Sequence, residues 1–157
     1  MAEPKITQPE LSIAAKVKRD GRIDTAKQIK SADEIIANVA QEFVAGLEEE
    51  FGELDRLSGI FQQTGNQTDL QALFRRIHNL RGLGTTMGFP LVSRIGSSFC
   101  RYIVEKDDST PIRQEVVDQH LAALRIVYQQ RIDGAGDEIS QQVAAALETV
   151  VSQELAR

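Results

Sequence analysis

The stretch Phe74 to Phe89, FRRIHNLRGLGTTMGF, sets an imidazole among guanidinium groups and glycines at helical spacing. At about 100° per residue around a helix, Leu70, Leu73, Ile77, Leu80, Gly84 and Met87 share one apolar face. His78 falls about 100° from the centre of that face, at its border with solvent, and Arg75, Arg81, Gly82 and Thr85 stack above and below it one or two turns away. An imidazole so placed can be reached from outside. Gly82 and Gly84 each weaken a helix by about 1 kcal/mol relative to alanine, so something other than helix stability favours them. Gly84, on the packed face, suits a close helix contact. Gly82, on the side of His78, leaves the approach to the ring clear. An accessible ring nitrogen beside Arg75 and Arg81 suits a phosphoryl group carried on nitrogen, its charge offset by charge-assisted hydrogen bonds.

The run His78-Asn79-Leu80-Arg81-Gly82-Leu83-Gly84-Thr85-Thr86-Met87-Gly88 resembles the signature of the histidine phosphotransfer (HPt) domain family: histidine, a basic residue at +3, glycine at +4, a small residue near +6 and glycine at +10. The helical pattern from Ala32 to Val127 is similar to the rest of the family's core, and residues 1–31 lie outside the resemblance. What the likeness implies is that His78 is the phosphoacceptor, relaying a phosphoryl group to or from the aspartate of a response-regulator receiver domain in a two-component phosphorelay. It further implies that Arg81 and Arg75 stabilise the phosphoryl group and that Gly82, Gly84 and Thr85 lie on the partner's approach. The chain would then be a phosphocarrier and no enzyme, without a cofactor of its own, its Mg²⁺ supplied by the partner receiver or histidine kinase. Two positions depart from the pattern. Arg81 replaces the usual lysine, keeping the charge but changing its geometry, and Leu83 replaces a smaller residue, which would narrow the choice of partner. Other readings are a helical protein-binding adaptor that docks through the face around His78 without phosphoryl transfer, and the phosphotransfer domain of a chemotaxis-type kinase.

Five helices are expected to build the scaffold. Ser31 reads as an N-cap with Glu34 at capping-box distance, and an apolar stripe follows through Ile35, Ile36, Val39, Phe43, Leu47, Phe51, Leu54, Leu57, Ile60 and Phe61. On this long helix Glu48, Glu49, Glu50, Glu53 and Asp55 read as a solvated face. After a turn at 65–68, a second helix begins near Asp69, carries His78 and stops at Gly88, a good residue for the position after a helix end. Pro90 opens the third helix, whose inner residues are Leu91, Val92, Ile95, Phe99, Tyr102 and Ile103, with Gly96, Ser97 and Ser98 permitting close packing. A fourth carries Ile112, Val116, Val117, Leu121, Leu124, Val127 and Tyr128 and ends before Gly134 and Gly136. The segment 137–157 repeats Ile139, Val143, Ala146, Leu147, Val150, Val151 and Leu155 at helical spacing. The fold expected is all-α: an antiparallel four-helix bundle with an additional C-terminal helix over residues 32–157, and a polar N-terminal extension over 1–31. Leu11, Ile13, Ala14, Ala15 and Val17 make too brief a pattern to dock firmly, and a loosely held tail is expected there.

Composition excludes several classes. Among 157 residues, 41% are hydrophobic and the net charge is −5, enough for one aliphatic core but without the basic face that nucleic acid binding needs. No apolar run reaches the roughly 18 residues of a membrane span, and MAEPKITQPE lacks the apolar core of a signal peptide. A single cysteine, Cys100, forms no internal disulfide, so a cytoplasmic protein is expected. No metal site is expected, because neither His78 nor His120 follows a glutamate by three residues as carboxylate-bridged bundle sites require. His120, without flanking arginine or glycine, reads as structural.

Overall fold

The computed structural model describes residues 25–157, and the chain divides into two compact units, 1–39 and 40–157. Its elements are α1 (Thr25–Thr64), α2 (Gln67–Gly84), α3 (Pro90–Glu105), α4 (Gln114–Gln129) and α5 (Glu138–Leu155), with no strand among the described residues.

In the first unit, residues 25–39 of α1 are exposed throughout. Two expectations change here. Ser31 is no N-cap, because α1 is already helical at Thr25, and Ala26, Lys27, Gln28 and Lys30 are all good helix formers. Ile35, Ile36 and Val39 belong to no core: they are 60%, 62% and 44% exposed. Helical periodicity marks a face that could be buried, without saying what covers it. The pattern from Leu11 to Val17 lies outside the described residues.

The second unit is the antiparallel four-helix bundle with its additional C-terminal helix. Leu47, Phe51 and Leu54 of α1, Leu73 and Ile77 of α2, Phe99 of α3 and Leu124 of α4 meet in one aliphatic core, which Ala144 and Leu147 of α5 extend. Fully burying one such side chain stabilises the fold by about 1.5–3 kcal/mol, so the core dominates. The Phe51 and Tyr128 rings stack with centroids 5.3 Å apart, tying α1 to α4. Part of the acidic run is tied down rather than solvated: Arg76 of α2 reaches Glu50 at 2.7 Å and Glu53 at 3.8 Å, and Arg125 of α4 pairs with Asp55. Glu48 and Glu49 remain exposed.

Helix α5 buries the later part of the expected stripe, with Leu147 and Val151 buried and Val150 and Leu155 packed partly against the core, and leaves its start exposed. Ala144, Leu147, Val151 and Glu154 are buried, whereas Ile139, Val143 and Ala146 are exposed. The buried face also holds a carboxylate that apolar periodicity cannot see. Glu154 sits at the seam and receives Arg113 at 2.7 Å, Arg157 at 3.1 Å and Lys106 at 3.7 Å, so that Arg113 and Lys106 tie the end of α5 to the segment between α3 and α4. Farther up, Arg94 of α3 binds Glu148 at 2.7 Å and Gln141 at 2.6 Å.

The end of α2 sets how closely the next helix can approach. Its regular part runs to Gly84, and one further tightened turn carries the chain to Gly88, the expected stop. Phe89 N–H donates to the Gly84 carbonyl at 2.7 Å and Gly88 N–H to that of Thr85 at 3.2 Å, while Gly88 takes φ 88°. That is a Schellman ending with glycine in the left-handed position. Pro90 then opens α3 at once, and α2 and α3 lie against each other at short range. A Cβ on Gly84 would stand 2.7 Å from Ser93 Oγ and 2.9 Å from the Phe89 carbonyl oxygen.

Candidate functional site

His78 is exposed on α2, as its border position predicts. Side chains on a helix lean toward its N-terminus, and the imidazole accordingly lies over Phe74, ring centroids 5.8 Å apart and planes at 34°. Phe74 is itself partly buried against the core. The sequence reading overlooked it. Its spacing of four residues from His78 was the available signal, but an aromatic flanking an apolar face reads first as packing.

The two arginines stand on opposite flanks of the histidine. Arg81 is half-buried on the side of α3, where its Cβ lies 3.0 Å from the place a Cβ on Gly96 would occupy. Its charge also reaches Cys100: burial pushes that thiol up from its usual range, with Arg81 opposing. Cys100 is thus a buried, protonated core residue. Arg75 is exposed on the other side and lines a groove of roughly 610 Å³ between α1 and α2, together with Glu42, Phe43, Gly46, Leu80 and Leu83. Arg76 and Arg94 are held by carboxylates, but among the described residues neither Arg75 nor Arg81 forms an ion pair. Both guanidinium groups are left to meet an incoming anion.

Gly82 is exposed, and a Cβ built there would find nothing within 4 Å. The space one turn beyond His78 is open. Thr85 is exposed at the same flank, its N–H donating to Ser93 Oγ at 2.8 Å. Gly84, expected on the partner's approach, is buried instead; with Ser93 and Phe89 so near, it serves the α2–α3 contact. The second histidine takes no part. His120 is fully buried, its Nδ1 2.7 Å from the Val116 carbonyl and its Nε2 3.0 Å from Ser98 Oγ.

An exposed imidazole with two unpaired guanidinium groups and a glycine clearing can present a ring nitrogen to a phosphoryl donor and hold the product's charge. The family model for the Hpt domain matches residues 30–157. This chain belongs to the Hpt domain family. No curated protein and no solved structure matches it. Membership of the Hpt family implies histidine phosphotransfer in two-component signalling, a role in which the domain carries the phosphoryl group rather than catalysing a reaction by itself. Hpt domains work with receiver domains and kinases. Among the described residues, no helix is long and apolar enough to cross a membrane.

Proposed function

We propose that His78 is the phosphorylated residue and that the protein relays a phosphoryl group to or from the aspartate of a response-regulator receiver domain. The observation that carries this reading is the open space at Gly82 beside an exposed imidazole, at a point where a side chain would otherwise stand in a partner's way. In the accepting direction, the unprotonated ring nitrogen of His78 attacks the phosphorus of the receiver's aspartyl phosphate. A nitrogen–phosphorus bond forms as the bond from phosphorus to the carboxylate oxygen breaks, and the aspartate leaves with the electron pair. The proton on the other ring nitrogen passes to solvent, and donation to a receiver reverses each step.

Charge spread over the three phosphoryl oxygens must be offset in such a transfer. Arg81 from one flank and Arg75 from the other, each one turn from His78, supply that charge, and the Mg²⁺ is the partner's contribution. The groove beside Arg75, with Leu83 45% exposed at its edge, supplies apolar surface for docking the receiver. Leu83 in place of a smaller residue selects among receivers by shape. Thr85 lies on the partner's approach, next to Gly82.

A receiver domain charged with a radiolabelled phosphoryl group tests the proposal. Mixed with this protein, it should pass label to a product that loses it in acid and keeps it in base, as a phosphoramidate does. Binding of the receiver without label transfer would instead make the chain a docking adaptor.

A further inference from the structure

Ser93, twelve residues beyond Arg81 and on the next helix, reaches into the backbone of the helix that carries His78. Its hydroxyl donates to the Arg81 carbonyl at 2.7 Å and accepts the Thr85 N–H at 2.8 Å. A regular α-helix would join that N–H to that carbonyl directly, so a hydroxyl from α3 stands in the link. One turn further along α3, Gly96 lies under the same residue: a Cβ there would come within 3.0 Å of Arg81 Cβ and 3.4 Å of its Cα. Arg81 is thereby gripped twice by α3, through its carbonyl and through the root of its side chain.

That grip falls on a cation with no carboxylate partner among the described residues. An arginine held by an ion pair is oriented by that pair, as Arg94 is by Glu148. A free arginine has many rotamers, and ordering it when charge develops costs entropy that a pre-set stem reduces. The neighbouring glycine geometry protects the hydroxyl's place. With Gly84 leaving only 2.7 Å between its would-be Cβ and Ser93 Oγ, the two helices can close far enough for the hydroxyl to enter the backbone.

We propose that Ser93 is a positioning residue for phosphoryl transfer, aiming Arg81 at the phosphoryl group on His78 by holding the Arg81 carbonyl, with Gly96 seating the side chain's root. This rests on the assignment of His78 as phosphoacceptor. Ser93 touches neither the phosphoryl group nor the imidazole; its effect passes entirely through Arg81, and that dependence is measurable.

The experiment compares the parent with Ser93→Ala, Arg81→Ala and the double variant, each given the same phosphorylated receiver, with single-turnover transfer rate and receiver affinity both measured. Ser93→Ala should slow transfer roughly fivefold, well inside the ~100-fold that a misplacement of about 1 Å can cost, at unchanged receiver affinity. In the Arg81→Ala background the same substitution should change nothing. An unaltered rate in Ser93→Ala overturns the inference, as does a fivefold loss that persists without the Arg81 side chain, since the hydroxyl would then act on the helix generally. A parent that takes up no label overturns the phosphoacceptor assignment and this inference together, a result distinct from both.

Discussion

His120 Nε2 lies 3.0 Å from Ser98 Oγ in the fully buried centre of the bundle, and because the Val116 carbonyl at Nδ1 can only accept, Nδ1 holds the ring proton and Ser98 donates to Nε2. Both ring nitrogens are satisfied and neither can be reached. His78, exposed and free of such partners, is the contrasting case within the same chain.

Burial pushes the His120 pKa below its usual value, against the opposing hydrogen bond to Val116. A histidine with a lowered folded-state pKa takes up its proton more readily when unfolded. Its contribution is therefore fully present above about pH 6.5 and is lost as pH falls from there through the lower folded value. Denaturant melts of the parent between pH 7.5 and 5 should show that decline, and His120→Leu should flatten it while costing about 1–3 kcal/mol at pH 7.5 through the unpaired Ser98 hydroxyl. A parent and variant with parallel pH profiles would contradict the assignment.

The carboxylate of Glu154 responds at lower pH. Burial acts to raise its pKa, but the Arg113 hydrogen bond and the charges of Arg113, Arg157 and Lys106 outweigh it and hold the group below its usual value. Its contribution is present above about pH 4.3 and is lost as pH falls through the folded value. Glu154→Gln should lower the melting temperature at pH 7 and remove part of the acid-induced loss below pH 4.5, read by thermal melts across that range.

Gly82 and Gly84 should part company on substitution. An alanine at Gly84 would press on Ser93 Oγ and on two backbone atoms, the Phe89 oxygen and the Ser93 nitrogen, so Gly84→Ala should cost about 1–3 kcal/mol. Gly82→Gln meets open space and should stabilise α2 by up to about 1 kcal/mol, yet block transfer by obstructing the partner. Chemical melts and transfer kinetics on the two variants check both halves, and normal transfer by Gly82→Gln would remove the reason given for that glycine.

How far each signal reaches along the chain decides which features were legible in the sequence. His78, Arg81 and Gly82 were legible because they share one helix, where spacing alone fixes relative direction, and Gly88 because a glycine followed by Pro90 marks a helix end. The five helices were legible for the same reason, each with its own apolar period. Ser93 was not, since its contact with Arg81 joins two helices across a tight turn and leaves no periodic trace. Glu154 was hidden because a buried carboxylate breaks the apolar pattern it completes, and its cations come from Lys106, Arg113 and Arg157, the first two 48 and 41 residues distant. The stripe at Ile35, Ile36 and Val39 failed in the opposite sense: the period was real, but the side chains stay exposed.

Arg81 should matter by charge first and by shape second. A charge-assisted hydrogen bond is worth about 1.5–3 kcal/mol, so Arg81→Ala should slow transfer by about 10- to 100-fold. Arg81→Lys should keep most of the rate, since an ammonium supplies the charge without the planar fork. Rates from one phosphorylated receiver compare them directly. Equal rates for the parent and Arg81→Ala would show that the phosphoryl charge is met elsewhere, with Arg75 the next candidate.

The most direct test of the account is to locate the phosphoryl group. After incubation with a phosphorylated receiver and Mg²⁺, peptide mass spectrometry at neutral or basic pH should find one added phosphoryl group on His78, and His78→Gln should take up none while keeping the parent's helix content and receiver binding. Label on His120 or on a hydroxyl side chain, or undiminished labelling of His78→Gln, would contradict it.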